Sequence, residues 1–146
     1  MKQKIFIVVI LLLSIIVAAC TSSNANKPEM IIYKSPTCGC CTGWAGYIAD
    51  EYNIKIIENA DINSIKAENG IPGNMYSCHT AFVEGYFVEG HVPAEAVEKL
   101  LAERPDIDGI ALPGMPSGSP GMPGPKNTIW TIYAIKDGQA SVFMTI

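Results

Sequence analysis

Cys38-Gly39-Cys40-Cys41 places three thiols within four residues, and a fourth, Cys78, stands alone far downstream. Thiolates are the nucleophiles of disulfide exchange and the ligands that select Cu(I), zinc or iron–sulfur clusters, so this run is read as a soft-metal and redox site. Copper is preferred over zinc on spacing. A structural zinc ion needs four ligands at tetrahedral corners, usually from two well-separated pairs, and crowded thiols meet that geometry poorly. Cu(I) accepts two or three thiolates, which also bridge between ions. Further donors are the thioethers Met115 and Met122, each in a Gly-Met-Pro triplet, and the two histidines, His79 and His91. A neutral imidazole would accept Cu(II). If the segment is extended, His79 points to the opposite face from Cys78, which argues against shared ligation. His91, between a hairpin and a helix, is expected to cap a turn or support the site from behind. Met75, a lone methionine, is read as core filler.

The elements that must position these groups follow from patterning. Met30 to Lys34 is a short apolar, β-branched run ended by Ser35-Pro36, a buried strand. Trp44, Tyr47, Ile48 and Tyr52 recur at helical spacing, predicting a helix from about Cys41 to Tyr52 with Trp44 and Tyr47 in the core. The thiols then lie at a helix N-terminus, where the free N–H groups favour the thiolate. Ile54, Ile56 and Ile57 predict a second strand, and Asp61 caps a short helix ending at Asn69-Gly70. Thr80–Glu84 and Tyr86–Val88 around Gly85 predict a hairpin, followed by a helix with Pro93 and Glu95 at its start and Val97, Leu100 and Leu101 on its buried stripe. Thr128–Ile135 and Ala140–Thr145, around Asp137-Gly138, predict a closing hairpin. The loop from Pro113 to Pro125 has no periodicity of its own and is expected to cover the cysteines.

Lys2 and Lys4 precede an apolar run from Ile5 to Ala19 that is too short for a confident span. Val17-Ala18-Ala19-Cys20 resembles the bacterial lipobox, which implies cleavage before Cys20 and acylation of its thiol. The expected division is a lipoprotein signal peptide at 1–19, a flexible tether at 20–28 and one domain at 29–146, large enough for a core without staples. The expected product is an exported, membrane-anchored lipoprotein facing the periplasm or the cell exterior; the alternatives, an ordinary secretory signal or an uncleaved anchor, export the chain as well. Loss of Lys2 and Lys4 takes the formal charge from −4 to −6. No basic cluster remains to follow a phosphate backbone, so nucleic acid is not an expected partner. In an oxidising compartment two disulfides are the plain structural alternative.

The order βαβαββα, with Cys-x-x-Cys at the first helix, resembles thioredoxin: Cys38 aligns with the outer thiol, Cys41 with the buried one, and Cys78-His79-Thr80 with the segment that carries a cis proline there, His79 replacing that proline. By this resemblance Cys78 would be delivered beside the other thiols. A wider likeness rests on Tyr33 to Cys41, Ser77 to Ala81, Val88 to Ala94 and Pro113 to Met122, four motifs in order that resemble the CopG-type family of exported, copper-associated proteins. It implies an α/β, thioredoxin-like three-layer sandwich, here with an added C-terminal β-hairpin, a copper-binding thiol cluster and an envelope location. Three functions are compatible with the residues. The preferred one is a binding protein rather than an enzyme, holding Cu(I) through Cys38, Cys40, Cys41 and Cys78 in copper handling or resistance, with thiol-linked redox chemistry as a companion. Its partners would be copper ions, the membrane, and envelope copper exporters or chaperones. The alternative is a thiol–disulfide oxidoreductase with Cys38 attacking and Cys41 resolving. The third is a stapled domain with every cysteine paired.

Overall fold

In the computed structural model, which describes residues 27–146, the β-rich runs and one further short segment build one seven-stranded sheet. The strands are β1 (Glu29–Lys34), β2 (Asn53–Glu58), β3 (His79–Val83), β4 (Tyr86–Glu89), β5 (Gly109–Ala111), β6 (Thr131–Lys136) and β7 (Gln139–Thr145), in the spatial order β2-β1-β3-β4-β5-β6-β7. β1 pairs parallel with β2 and antiparallel with β3, and β3 antiparallel with β4. β5 runs parallel to β4, and β6 and β7 extend the sheet as antiparallel strands.

Because side chains alternate along a strand, the two faces carry separate cores. Met30 and Ile32 of β1, Ala81 and Val83 of β3, Val88, Ile110 and Ile132 meet Trp44, Ala45 and Ile48 of α1 (Gly39–Ile48) and Ala96, Val97 and Leu100 of α3 (Ala94–Glu103). On the opposite face Phe87, Ala111 and Ile135 pack with Ile71 and Met75, near α2 (Ile62–Glu68) and a 3₁₀ turn at Gly73–Met75. The result is the α/β sandwich expected, with its C-terminal hairpin. Asp61 caps α2 by accepting from the Ser64 N–H at 3.2 Å. Both tight hairpins turn through two residues of positive φ, Glu84-Gly85 and Asp137-Gly138, the backbone that two-residue turns between twisted strands require.

Three details differ from the sequence reading. α1 stops at Ile48, and the buried Tyr52 returns to the same core from beyond the helix. Tyr47 is 42% exposed rather than in the core, its hydroxyl accepting from the Ala94 N–H at 3.1 Å. β5 was not anticipated. Among the described residues no helix is long and apolar enough to cross a membrane. The expected signal peptide, Cys20 and most of the tether lie outside the described residues.

Candidate metal centre

The first turn of α1 presents the thiols because the chain reverses just before it. The Cys38 N–H donates to the Ser35 carbonyl at 3.1 Å, and Cys38 itself is the N-cap, its sulfur accepting from the Cys41 N–H at 3.3 Å. Cys38 and Cys41 form a disulfide, with Cα atoms 5.4 Å apart, while Cys40 and Cys78 are free. Cys41 is fully buried and the other three are half-buried. The Cys40 Sγ is 3.5 Å from that of Cys38 and 3.8 Å from that of Cys78. All four sulfurs lie within 4.8 Å of one another. The fold therefore brings the lone downstream thiol to the mouth of α1. Among the described residues a wholly paired, stapled arrangement is not what is found.

Cys78 sits on a bend between the 3₁₀ turn and β3, and His79 is the first residue of that strand. Strand alternation does not govern the pair: His79 Nδ1 approaches the Cys78 sulfur to 3.8 Å. His91 comes closer, with Nε2 at 2.7 Å from the same sulfur and Nδ1 at 2.7 Å from the Pro120 carbonyl. A carbonyl only accepts, so Nδ1 carries the proton and Nε2 turns its lone pair to the sulfur. That is the orientation a metal-ligating imidazole takes when a backbone carbonyl fixes its tautomer. Cys78, His79 and His91 form a second group of donors within 4.8 Å of one another, sharing Cys78 with the first.

Burial sets the charge state here. It pushes the Cys78 thiol up to about 12, with the neighbouring Cys40 adding to the rise, and lowers His91 below its ordinary value. The metal-free pair is a neutral thiol donating to a neutral imidazole. His79 is fully buried between the rings of Trp44, at 4.5 Å, and His91, at 5.0 Å. Burial depresses it well below the usual imidazole range, and its Nε2 has no hydrogen-bond partner among the described residues.

The Pro113–Pro125 loop lies over this end of α1. Gly121 has φ of +80°, and a Cβ there would stand 2.5 Å from the Trp44 backbone nitrogen and 2.6 Å from the Cys40 carbonyl, so only glycine allows the approach. The same loop supplies the Pro120 carbonyl that holds His91. Met115 is 54% exposed and Met122 half-buried, whereas Met75 is buried in the second core, as expected of a filler.

One buried group escaped the sequence reading. Lys66 of α2 and Glu89 of β4 form an ion pair with both side chains fully buried, joined by Thr80 and the Ser77 backbone. Burial lowers Lys66 and raises Glu89. A lysine in a seven-residue helix and a glutamate at a strand end carry no signal of pairing, since either alone is ordinarily solvated.

Two solved structures of copper resistance protein CopG match the chain along most of its length. Form 2 is 37% identical, covering 83% of this chain and 99% of its own, with a TM-score of 0.76. Form 1 is 38% identical, covering 81% and 96%, with a TM-score of 0.74. The chain belongs to the CopG family. A family described as a protein of unknown function, DUF411, matches residues 75–122, a span that holds Cys78, both histidines and most of the covering loop but not the three clustered thiols. No curated protein matches. Membership in the CopG family sets the sulfur cluster beside proteins named for copper resistance.

Proposed function

We propose that the protein is a cell-envelope copper-binding protein that holds Cu(I) through Cys38, Cys40, Cys41 and Cys78 and serves copper handling or resistance. The observation that carries this reading is the convergence of four sulfurs from two distant segments within 4.8 Å. The donor chemistry fits a soft monovalent ion, and three of the four sulfurs come from one helical turn rather than from the two separated pairs usual in structural zinc sites. His79 and His91 stand as nitrogen donors on the Cys78 side, and Met115 and Met122 as thioethers carried by the loop.

The disulfide makes capacity depend on redox state. With Cys38 and Cys41 joined, the free donors are Cys40, Cys78 and the imidazoles. Two electrons and two protons return the disulfide to two thiols and complete the set. The strand order β2-β1-β3-β4, with its senses, supports reading this part as a thioredoxin-like core. An export signal and lipidation at Cys20 would anchor the domain at a membrane, where copper exporters or chaperones would exchange ions with it.

The same disulfide favours a second reading, a thiol–disulfide oxidoreductase using Cys38 and Cys41. Cu(I) titration of the reduced protein against a chromogenic chelator separates the two. Copper binding predicts a defined stoichiometry that falls on Cys40→Ser and on Cys78→Ser. Rapid insulin reduction that survives Cys40→Ser, with no Cu(I) retained, would establish the second reading instead.

A further inference from the structure

A buried ionic network lies behind the segment that carries Cys78. Lys66 Nζ contacts Glu89 Oε1, lies 3.1 Å from the Thr80 hydroxyl and sits 5.5 Å over the Tyr76 ring. Glu89 Oε1 also accepts the Ser77 N–H at 2.5 Å, and Oε2 accepts the Thr80 hydroxyl at 2.5 Å. One carboxylate thus grips the chain on both sides of Cys78, at the residue before it and at the second residue after it. The neighbouring Gly90 completes the clamp: its N–H donates to the His79 carbonyl at 2.9 Å, and a Cβ on it would stand 2.6 Å from Ser77 Cβ.

Stability alone does not account for such a pair. Two charges removed from water recover little of the desolvation cost, and well-packed apolar replacements of a buried pair are often neutral or stabilising. What the pair does hold is the bend on which Cys78 sits, 3.8 Å from Cys40 and 2.7 Å from His91. We propose that Glu89, charge-balanced by Lys66, is a positioning residue that fixes the Cys78 sulfur over the mouth of α1. Its relevance to copper rests on the reading above; the placement of the sulfur does not.

The test uses the full-length protein with its Cys38–Cys41 disulfide intact, so that Cys40 and Cys78 react as a pair with dibromobimane, which fluoresces on bridging two nearby thiols. Cys78→Ser gives the background. In Lys66→Met/Glu89→Leu the bridging rate is expected to fall at least tenfold while the melting temperature stays close to that of the parent. The Cu(I) affinity of the reduced variant should fall by a similar factor. An unchanged bridging rate in the folded double variant overturns the proposal. Should that variant fail to fold, Glu89→Gln keeps the side-chain shape and one acceptor but removes the charge; it should slow bridging severalfold, and a parental rate there overturns the proposal equally. Slow bridging in the variants alongside a parent that binds no Cu(I) would remove the copper reading and leave the positioning role standing.

Discussion

Trp44 shows how single side chains tie the site to the core. Its ring is fully buried against His79, and its Nε1 donates to the Val92 carbonyl at 2.8 Å, so the helix that presents the thiols is bonded to the residue after His91. Trp44→Phe keeps an aromatic ring but leaves that carbonyl unpaired and a void beside His79. The expected loss is about 2–4 kcal/mol, measurable by urea unfolding, with reduced Cu(I) affinity beside it. Tyr52 gives a pH dependence remote from the site. Burial first, then the carboxylates Glu98, Glu51 and Glu84, push its phenol up to about 12, against about 10 in an unfolded chain. A pKa raised on folding gives stability that is complete below the unfolded value and lost as pH rises through the folded one. Stability should therefore decline between about pH 10 and pH 12, by roughly 2 kcal/mol from this group. Tyr52→Phe should move the alkaline unfolding midpoint upward; a midpoint left in place would assign the alkaline transition to other groups.

Elements differ in how far their own residues dictate them. The two hairpins were legible because Gly85 and Asp137-Gly138 mark turns between β-rich runs, although Glu84, expected in the strand, shares the first turn with a positive φ, and α2 was legible because Asp61 can cap it. The end of α1 was misjudged because Tyr52 keeps helical spacing with Ile48 while reaching the same core from a turn. β5 is three residues with both faces buried, too short for alternation to register. In the site, the three clustered sulfurs were legible by residue type and spacing, and the arrival of Cys78 beside them only through the resemblance to thioredoxin. The contact of His91 with Cys78 was not, because it depends on a carbonyl twenty-nine residues away in sequence, nor was the Lys66–Glu89 pair, whose members come from a helix and a strand edge. The covering loop offers a contrast that tests its role. Gly114 and Gly121 both have positive φ, +71° and +80°, but a Cβ at Gly114 meets nothing within 4 Å. Gly114→Ala should cost only the conformational term, about 1–2 kcal/mol, and leave copper binding intact. Gly121→Ala adds a clash with the backbone of Cys40 and Trp44, which a fixed helix cannot relieve, so the loop must lift. Faster proteolysis between Pro113 and Pro125, and weaker Cu(I) binding as Pro120 releases His91, are expected there alone.

At the scale of the whole molecule, the redox state of the thiols and the integrity of the fold are largely separate. Two cores on opposite faces of a seven-stranded sheet hold the domain, and the disulfide closes a loop of sequence separation 3. In a chain-entropy account so short a loop contributes only about 2 kcal/mol, so reduction should leave the far-ultraviolet circular dichroism unchanged and lower the melting temperature by less than about 10 °C. Copper then reads out what reduction does to the site. A ligand that binds only the folded state stabilises it by about 2.7 kcal/mol at one hundred times its dissociation constant. Reduced protein, with four thiols free, should show a clear rise in melting temperature on addition of Cu(I). Oxidised protein offers only Cys40, Cys78 and the imidazoles from the same pocket, and should show a much smaller rise under anaerobic conditions without thiol reductant. Equal shifts in the two states would mean that the sulfurs of Cys38 and Cys41 take no part in holding the ion, and that Cys40, Cys78 and His91 alone make the site.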